Sequence, residues 1–375
     1  MKHSRSTSMV KTLTYNSEQL QSKVISFLRF PLIIGVVLIH TQISTINGIT
    51  GDMSAPAPFN GIFPLYESIL YIFAQIITRI AVPLFFIFSG FLFFYRVESF
   101  SLQSYIAKIK KRVYTLLIPY LFWNILFIVF YNVLGWIFPG KIQIYIGQGY
   151  TIADWLMELW NSNGTGAPIS LQFWFIRDLI LVVIITPILY YSIKKLGYLF
   201  PLILGILWLI GLWPDIIFTI DALFFFSLGA YFSVTKRNFV ELIKPHVISA
   251  GVLYLILVVL TFSTKSHEWV RYVKYMSILL GIAFAISLSA VLIQKNKWRD
   301  NALLANSSFF IYAYHIIAIP IIRRILFSII PCTTDIHATV LYFTLTVIIA
   351  VMGILLYILF KKTLPQTTRL ITGGR

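Results

Sequence analysis

Long apolar runs separated by short polar and basic segments dominate this chain. Ten of these runs are long enough to cross a bilayer. They are Val24–Ile46, Ile69–Tyr95, Val113–Phe138, Phe173–Ser192, Leu199–Trp213, Ile216–Val234, Val247–Phe262, Tyr272–Gln294, Leu303–Ile330 and Ala338–Phe360. The pattern predicts an all-α, polytopic membrane protein. A single transmembrane domain, 24–360, is expected between polar tails at 1–23 and 361–375.

Composition agrees with this interpretation. The 375 residues are 58% hydrophobic and only 11% charged, whereas a soluble domain carries roughly twice that charged fraction. Cys332 is the one cysteine of the sequence, so an intrachain disulfide and a thiolate metal cluster are excluded. We therefore expect no metal site. The first span has no small-residue cleavage site behind its apolar core, which predicts an uncleaved anchor.

The positions of the basic residues predict the orientation. With the amino terminus in the cytoplasm, 21 of the 30 Lys and Arg residues lie in cytoplasmic segments. The outer loops then hold only Lys141, Lys265, Arg271 and Lys274. This asymmetry follows the positive-inside rule and predicts that both termini are cytoplasmic. It also explains the net charge of +17 without nucleic acid as a partner.

Two polar side chains interrupt the first span. Arg29 and His40 are eleven residues apart, which is about three helical turns and about 16 Å along one helix face. Each has a structural alternative, because Arg29 can snorkel to headgroups and His40 can form an interhelical hydrogen bond. On one stripe, however, the two side chains favour a polar cavity inside the bundle.

Further polar residues fall within the predicted spans at comparable depths. They are Arg79, Arg177, Asp178, Asp221, Tyr312 and His315. A charged residue at a helix centre costs about 2.5–3.5 kcal/mol on insertion scales, so a shared polar interior is expected. Structural ion pairs, either Arg177–Asp178 or Arg79–Asp221, are one explanation. A reaction chamber is the other.

Two more features sit near the predicted cytoplasmic ends of spans. The cations Lys108, Lys110, Lys111 and Arg112 precede the third span and suit a polyphosphate ligand, although topology alone also explains them. Pro83 and Ser89-Gly90 give the second span a broken, small-residue patch that permits close backbone approach.

Two long outer loops, Asn47–Ser68 and Pro139–Leu171, are either functional lids or plain connectors.

Six short motifs occur in order along the chain. They are Arg29-x10-His40; Phe85-Phe86-x-x-Ser89-Gly90; Lys111-Arg112 followed by Ile118-Pro119; Phe173-Trp174-Phe175-Ile176; Ser227-Leu228-Gly229-Ala230; and Tyr312-x-x-His315. Together they resemble the acyltransferase-3 family of multi-pass membrane acyltransferases. Many members have an acidic residue before Phe-Phe, where this chain has Pro83, with Arg79 four residues earlier. That variant resembles the branch that acetylates or succinylates surface polysaccharides.

The resemblance implies an O-acyltransferase of the bacterial inner membrane. The donor would be acetyl-CoA or another acyl-CoA from the cytoplasm, and the acceptor a hydroxyl of an outward-facing glycan or lipid-linked saccharide. Four cations would hold the CoA phosphates, Lys108, Lys110, Lys111 and Arg112. Arg29 would lie just inside this mouth, and the pantetheine arm would pass Ser89 and Gly90.

The same resemblance implies roles nearer the chemistry. His40 would act as general base, and His315 would orient it or substitute for it. Arg177 would stabilise the oxyanion, and Asp178 or Asp221 would hold His40 or the acceptor. Substrate contacts are expected from Arg79, Asp221, Trp174 and Tyr312. Direct transfer and an acyl-histidine intermediate both remain open.

Two other classes compete with an enzyme. A transporter or flippase for a lipid-linked glycan would use intramembrane charges as a substrate pathway. It would be expected to show internal repeats, and the sequence has none that we detect. The third class is a non-catalytic membrane subunit held by structural ion pairs. The sequence alone leaves open the acceptor, the acyl group and the oligomeric state.

Overall fold

The computed structural model describes residues 15–42, 63–139, 149–214 and 217–374. These residues form helices and connecting turns without a β-strand, which confirms the predicted all-α class. The α-helices are α1 (Ser17–His40), α2 (Pro64–Gln75), α3 (Ala81–Phe94), α4 (Leu102–Arg112), α5 (Ile118–Ile137), α6 (Ile152–Glu158), α7 (Trp174–Ile184), α8 (Thr186–Leu196), α9 (Leu199–Ile210), α10 (Ile220–Val234), α11 (Phe239–Ile243), α12 (Val247–Ser263), α13 (Val270–Gln294), α14 (Ala302–Ile329), α15 (Asp335–Thr363) and α16 (Pro365–Ile371). Most of the predicted loop Asn47–Ser68, and residues 140–148 of the second loop, lie outside the described ranges.

Seven helical stretches of the described chain are long and apolar enough to span a membrane. They are Ser17–His40, Pro64–Phe94, Leu102–Ile137, Phe239–Ser263, Val270–Gln294, Ala302–Ile329 and Asp335–Thr363. A polytopic membrane protein is thereby confirmed. The fourth predicted span is a helix pair, Leu171–Ile184 and Thr186–Leu196, bent by 65°. The fifth and sixth predicted spans are the shorter apolar helices α9 and α10, so the count of ten full spans stays a prediction.

Helix α1 is the central helix of the bundle. It packs against α3, α13, α14 and α15, and its start is fixed by a capping box between Asn16 and Gln19. Lys23 forms an ion pair with Asp300 at 2.8 Å, and Phe27 stacks on Trp298 with ring centroids 4.8 Å apart. These contacts tie the start of α1 to the turn between α13 and α14, so α1 and α14 run side by side.

Helices α3 and α10 approach each other backbone to backbone. A Cβ placed on Gly90 would lie 2.0 Å from the Phe226 carbonyl oxygen, and one on Gly229 would lie 1.9 Å from that of Ile87. Only glycine permits such an approach at either position. Gly90 therefore serves helix packing, and its neighbour Ser89 is the member of the pair that faces a cavity.

Two of the predicted spans are interrupted in ways that hydropathy does not reveal. A 3-10 turn, Ile77–Ile80, separates α2 from α3 and carries Arg79. A π-helical turn, Val113–Leu117, joins α4 to α5. The basic cluster precedes the third predicted span, as expected, and it lies on α4, which continues through this turn into the span.

Candidate active site

Two histidines lie side by side where α1 meets α14. The ring centroids of His40 and His315 are 5.2 Å apart. His40 is the last residue of α1, and the hydroxyl of the next residue, Thr41, hydrogen-bonds that of Thr346 on α15 at 2.8 Å. The end of α1 is thus fixed to α15, which holds the His40 ring beside His315.

The hydrogen bonding of His315 determines which of its nitrogens is free. Its Nδ1 lies 2.6 Å from the carbonyl oxygen of Tyr312, and a carbonyl only accepts, so Nδ1 carries the hydrogen. In the neutral ring Nε2 then bears the lone pair. This buried Nε2 has no hydrogen-bond partner in the described part of the protein. The ring is therefore oriented as a proton acceptor.

A cavity of about 460 Å³ lies beside α1, and its lining within the described chain includes neither His40 nor His315. From α1 it is lined by Arg29, Ile33 and Val36, a face that His40 continues one turn further on. Other helices contribute the polar groups of Ser89, Thr115, Ser308 and Tyr312 together with the apolar side chains of Val82, Phe85, Phe88, Leu92, Phe93, Leu116, Phe175, Ile176, Leu179, Ala305 and Phe309. The lining combines polar and apolar groups, and Val36 and Tyr312 bring it to within one helical turn of His40 and His315.

Cations line the opposite end of this cavity. Lys108, Lys111 and Arg112 of α4 join Arg29 there. Lys108 Nζ donates to the Phe93 carbonyl at 2.5 Å, and Lys108 and Arg112 both lie over the Phe93 ring. Within the described ranges, no carboxylate reaches ion-pair distance of these four cations. A site so positive and apolar suits a phosphate-bearing ligand with a long thin arm.

Lys110 lies apart from this cluster. It is exposed on α4 and does not line the cavity, because it points about 200° away from Lys108 and about 100° away from Lys111 around the helix axis. The structure accordingly groups three of the four predicted phosphate-binding cations and leaves Lys110 on the outer face of the helix.

Arg177 and Asp178 form a buried ion pair. Arg177 Nη2 lies 2.8 Å from Asp178 Oδ1, and its Nη1 donates to the carbonyl oxygens of Trp160 and Gly166 at 2.8 and 2.9 Å. Asp178 Oδ2 accepts from the N–H and the hydroxyl of Thr219, both at 2.9 Å. Each carboxylate oxygen of Asp178 thus receives two hydrogen bonds. The pair fixes the segment before α7, which contains Trp160 and Gly166, and it is one of the two structural ion pairs considered above.

The same segment is also hydrogen-bonded through Gln172 to α14, close to His315. The Tyr312 hydroxyl donates to the Gln172 carbonyl at 2.6 Å, and Gln172 Nε2 donates to the Ala313 carbonyl at 2.9 Å. The backbone N–H of Ser170 donates to Asn124 on α5 at 3.2 Å. Tyr312 therefore links the cavity wall to the segment that Arg177 fixes.

The remaining predicted substrate residues occupy different surroundings. Arg79 is exposed, and its Nη2 donates to Gln75 at 2.6 Å. Asp221 lies in the first turn of α10 and accepts from Trp208 Nε1 at 3.0 Å. Arg79 is close enough to both Asp221 and His40 for electrostatic interaction. Trp174 is half-buried beside Phe86 and does not line the cavity.

Thr115 and Gly373 are among the lining residues that were not anticipated from the sequence. Thr115 lies in the π-helical turn, and its buried Oγ1 has no partner among the described residues. Gly373 reaches the cavity from the carboxy-terminal end of the chain. A π-turn is a frequent mark of functional sites, but hydropathy does not reveal one.

Comparison with known proteins decides the class. The family model of the acyltransferase domain matches residues 23–358. The chain belongs to the acyltransferase-3 family. This membership makes the protein a membrane acyltransferase and favours that class over a transporter or a non-catalytic subunit. Within the described residues of the acyltransferase, no group of three His, Cys, Asp or Glu side chains is placed to hold a metal.

A curated relative is similar over nearly its whole length. The succinoglycan biosynthesis protein ExoH of Rhizobium meliloti is 24% identical to the acyltransferase over 364 residues, which is 94% of this chain and 92% of the relative. No solved structure matches the acyltransferase significantly.

Proposed function

We propose that the acyltransferase moves an acyl group from cytoplasmic acyl-CoA to a hydroxyl of an outward-facing polysaccharide or its lipid-linked precursor. The acyl group is acetyl or succinyl. The observation that carries this proposal is one cavity whose lining includes Lys108, Lys111 and Arg112 and also Val36 and Tyr312, which lie one helical turn from the adjacent rings of His40 and His315. The relative in succinoglycan biosynthesis supports a polysaccharide acceptor.

The cavity suits the parts of acyl-CoA in their order. Three cations without carboxylate partners complement the phosphates. Val36 and Tyr312 line the cavity one helical turn before His40 and His315, a rise of about 5–6 Å. The apolar side chains between the two ends are compatible with a pantetheine arm, and we infer that the thioester at its tip then lies near the imidazoles.

The imidazoles supply the proton transfer that the reaction needs. One ring accepts the proton of the acceptor hydroxyl as the oxygen attacks the thioester carbon. The C–S bond then breaks, and the departing CoA thiolate takes up that proton. We assign the role of general base to His40. The lone pair on His315 Nε2 has no partner within the described residues, so His315 can either orient His40 or act in its place. An acyl-histidine intermediate would use the same nitrogens.

We assign Arg177 and Asp178 to positioning rather than to direct contact with the reacting atoms. Their hydrogen bonds go to each other, to Trp160, to Gly166 and to Thr219, so neither is free to bind an oxyanion or an imidazole. Arg79, which is exposed and near His40, is the cation we assign to the substrate, with Asp221 beside it.

The test is a transfer assay with purified protein in liposomes. Radiolabelled acetyl-CoA and succinyl-CoA are supplied separately, and release of label from CoA as free acid or bound acyl group is followed for wild type and His40→Ala. We expect one donor to turn over in wild type, and at least a hundredfold slower turnover in the variant. Normal turnover by a folded His40→Ala protein would remove His40 from the mechanism. If neither donor binds or reacts, the acyl-CoA assignment is wrong.

A further inference from the structure

The carboxy-terminal segment, defined here as residues 365–373, returns into the bundle instead of leaving it. Helix α15 ends at Thr363, and α16 packs against α5. Thr368, Ile371 and Thr372 are almost wholly buried. The chain end thereby reaches the interior next to the cation-lined part of the cavity.

A hydrogen bond from a buried tryptophan fixes this segment. Trp123 of α5 donates from Nε1 to the carbonyl oxygen of Ile371 at 2.9 Å. Its ring packs edge-on against Phe310 of α14. Trp123 does not line the cavity, so its bond acts on the position of the segment alone.

Gly373 brings the segment to the cavity wall. It lines the cavity together with Lys111, Arg112 and Thr115. Its φ is +69°, and a Cβ on Gly373 would lie 2.4 Å from the Thr115 carbonyl oxygen. Thr115 follows Lys111 by one helical turn, so this close approach is at the cationic end. The next residue, Gly374, also has positive φ, +82°, but a Cβ there would meet nothing within 4 Å.

We propose that the carboxy-terminal segment is a wall of the acyl-CoA site, and that the contact between Gly373 and Thr115 sets the width of the neck between the phosphate end and the pantetheine arm. This inference rests on the proposed function, since it names the ligand of the same cavity. The buried, unpartnered Thr115 Oγ1 supplies a hydrogen-bonding group in this neck. The pantetheine arm, which is thin and contains amides, passes between Gly373 and Thr115, and a larger residue at position 373 obstructs it.

The adjacent glycines provide a matched test. Gly373→Ala and Gly374→Ala both force a side chain into a positive φ, which destabilises both proteins, but only the first also places a methyl group against the Thr115 backbone, so Gly373→Ala is expected to be the less stable of the two. Calorimetry with purified full-length protein in detergent measures CoA binding. We expect the Kd of Gly373→Ala to rise about tenfold or more, and that of Gly374→Ala to change less than twofold. Equal Kd values for both variants and wild type would overturn the proposal.

A second variant covers a Gly373→Ala protein that does not fold. Trp123→Phe keeps a ring but removes the hydrogen bond to Ile371, at a position that does not touch the ligand. A rise in Kd of about threefold to tenfold is expected from the loss of one buried hydrogen bond. An unchanged Kd in this variant would contradict the proposal. If wild type itself does not bind CoA, the donor assignment under the proposed function fails instead, so the two failures are distinguishable.

Discussion

The acyltransferase holds charged groups inside its helix bundle in two contrasting ways. Around Arg177 every charge is compensated, because Asp178 lies 2.8 Å away and its oxygens are fully occupied by donors. Around Arg112 the positive charge is uncompensated, since no carboxylate of the described chain reaches Arg112, Lys108, Lys111 or Arg29. The ion pair is buried, whereas the cations line a cavity and are partly or, at Lys111, largely exposed.

The difference separates structure from binding. A buried charge that has a complete set of partners contributes to one fixed conformation. A cluster of like charges that repel one another in an apolar setting costs free energy, and an anionic ligand offsets that cost. The histidine pair resembles the cation cluster in having an unsatisfied polar group, because His315 Nε2 is buried and unpartnered within the described residues. Three experiments separate the two kinds of site.

The largest effect on acyl transfer is expected from removing the unpartnered imidazole nitrogen of His315. His315→Asn retains a side-chain N–H that can donate to the Tyr312 carbonyl, but it removes Nε2 and its lone pair. We expect acyl transfer to fall by about 10²–10⁴-fold, the usual contribution of a positioned acid–base group, with little change in thermal stability. The exposed His246 provides the control, since His246→Ala should transfer at the wild-type rate. Near-normal transfer by His315→Asn would place His315 outside the mechanism.

The compensated pair should show the opposite behaviour. Asp178→Ala leaves Arg177 buried and unpaired, so the free energy of unfolding should fall by about 3–5 kcal/mol, and activity should be lost with the fold. Glu241→Ala, which breaks the more exposed Lys244–Glu241 pair, should cost no more than about 1 kcal/mol. Thermal denaturation in detergent measures both. A stable but inactive Asp178→Ala protein would show instead that this carboxylate acts in the chemistry.

The smallest effect is expected in the cation cluster. Arg112→Gln should raise the Kd for CoA by about tenfold to a hundredfold, the loss of a charge-assisted hydrogen bond to a phosphate, and should weaken the salt dependence of binding. Lys110→Gln is the matched control, because Lys110 lies two residues away but outside the cavity. Calorimetry at two salt concentrations measures both. Equal losses in the two variants would mean that diffuse charge, and not the cavity, binds CoA.

The sequence predicted most of the architecture because hydropathy acts over whole helices. The seven long stretches and the bent pair coincide with predicted spans. Arg29 lines the cavity together with Ile33 and Val36, whereas His40, predicted to share that face, lies one helical turn beyond the lining, so the shared site stays a prediction. The breaks at Ile77–Ile80 and Val113–Leu117 were not predicted. They depend on the packing of neighbouring helices, which a local average of hydropathy does not record.

Contacts between distant parts of the chain account for the rest. The close approach of Gly90 to Phe226, and the bond from Trp123 to Ile371, each join residues more than a hundred positions apart. No local pattern in the polar sequence after Thr363 indicates that it returns to α5. The Arg177–Asp178 partnership was visible as a possibility, but its bonds to Trp160, Gly166 and Thr219 required the fold.

The location of bound CoA is the most direct test of the central claim, that one cavity connects the cation cluster to the histidine pair. Electron cryo-microscopy of the purified acyltransferase with CoA would measure it. We expect density for the phosphates against Lys108, Lys111 and Arg112. Density for the pantetheine arm should pass Ser89 and Thr115, and the thiol should lie near Val36 and Tyr312. Density for CoA at any other surface, with this cavity empty, would contradict it.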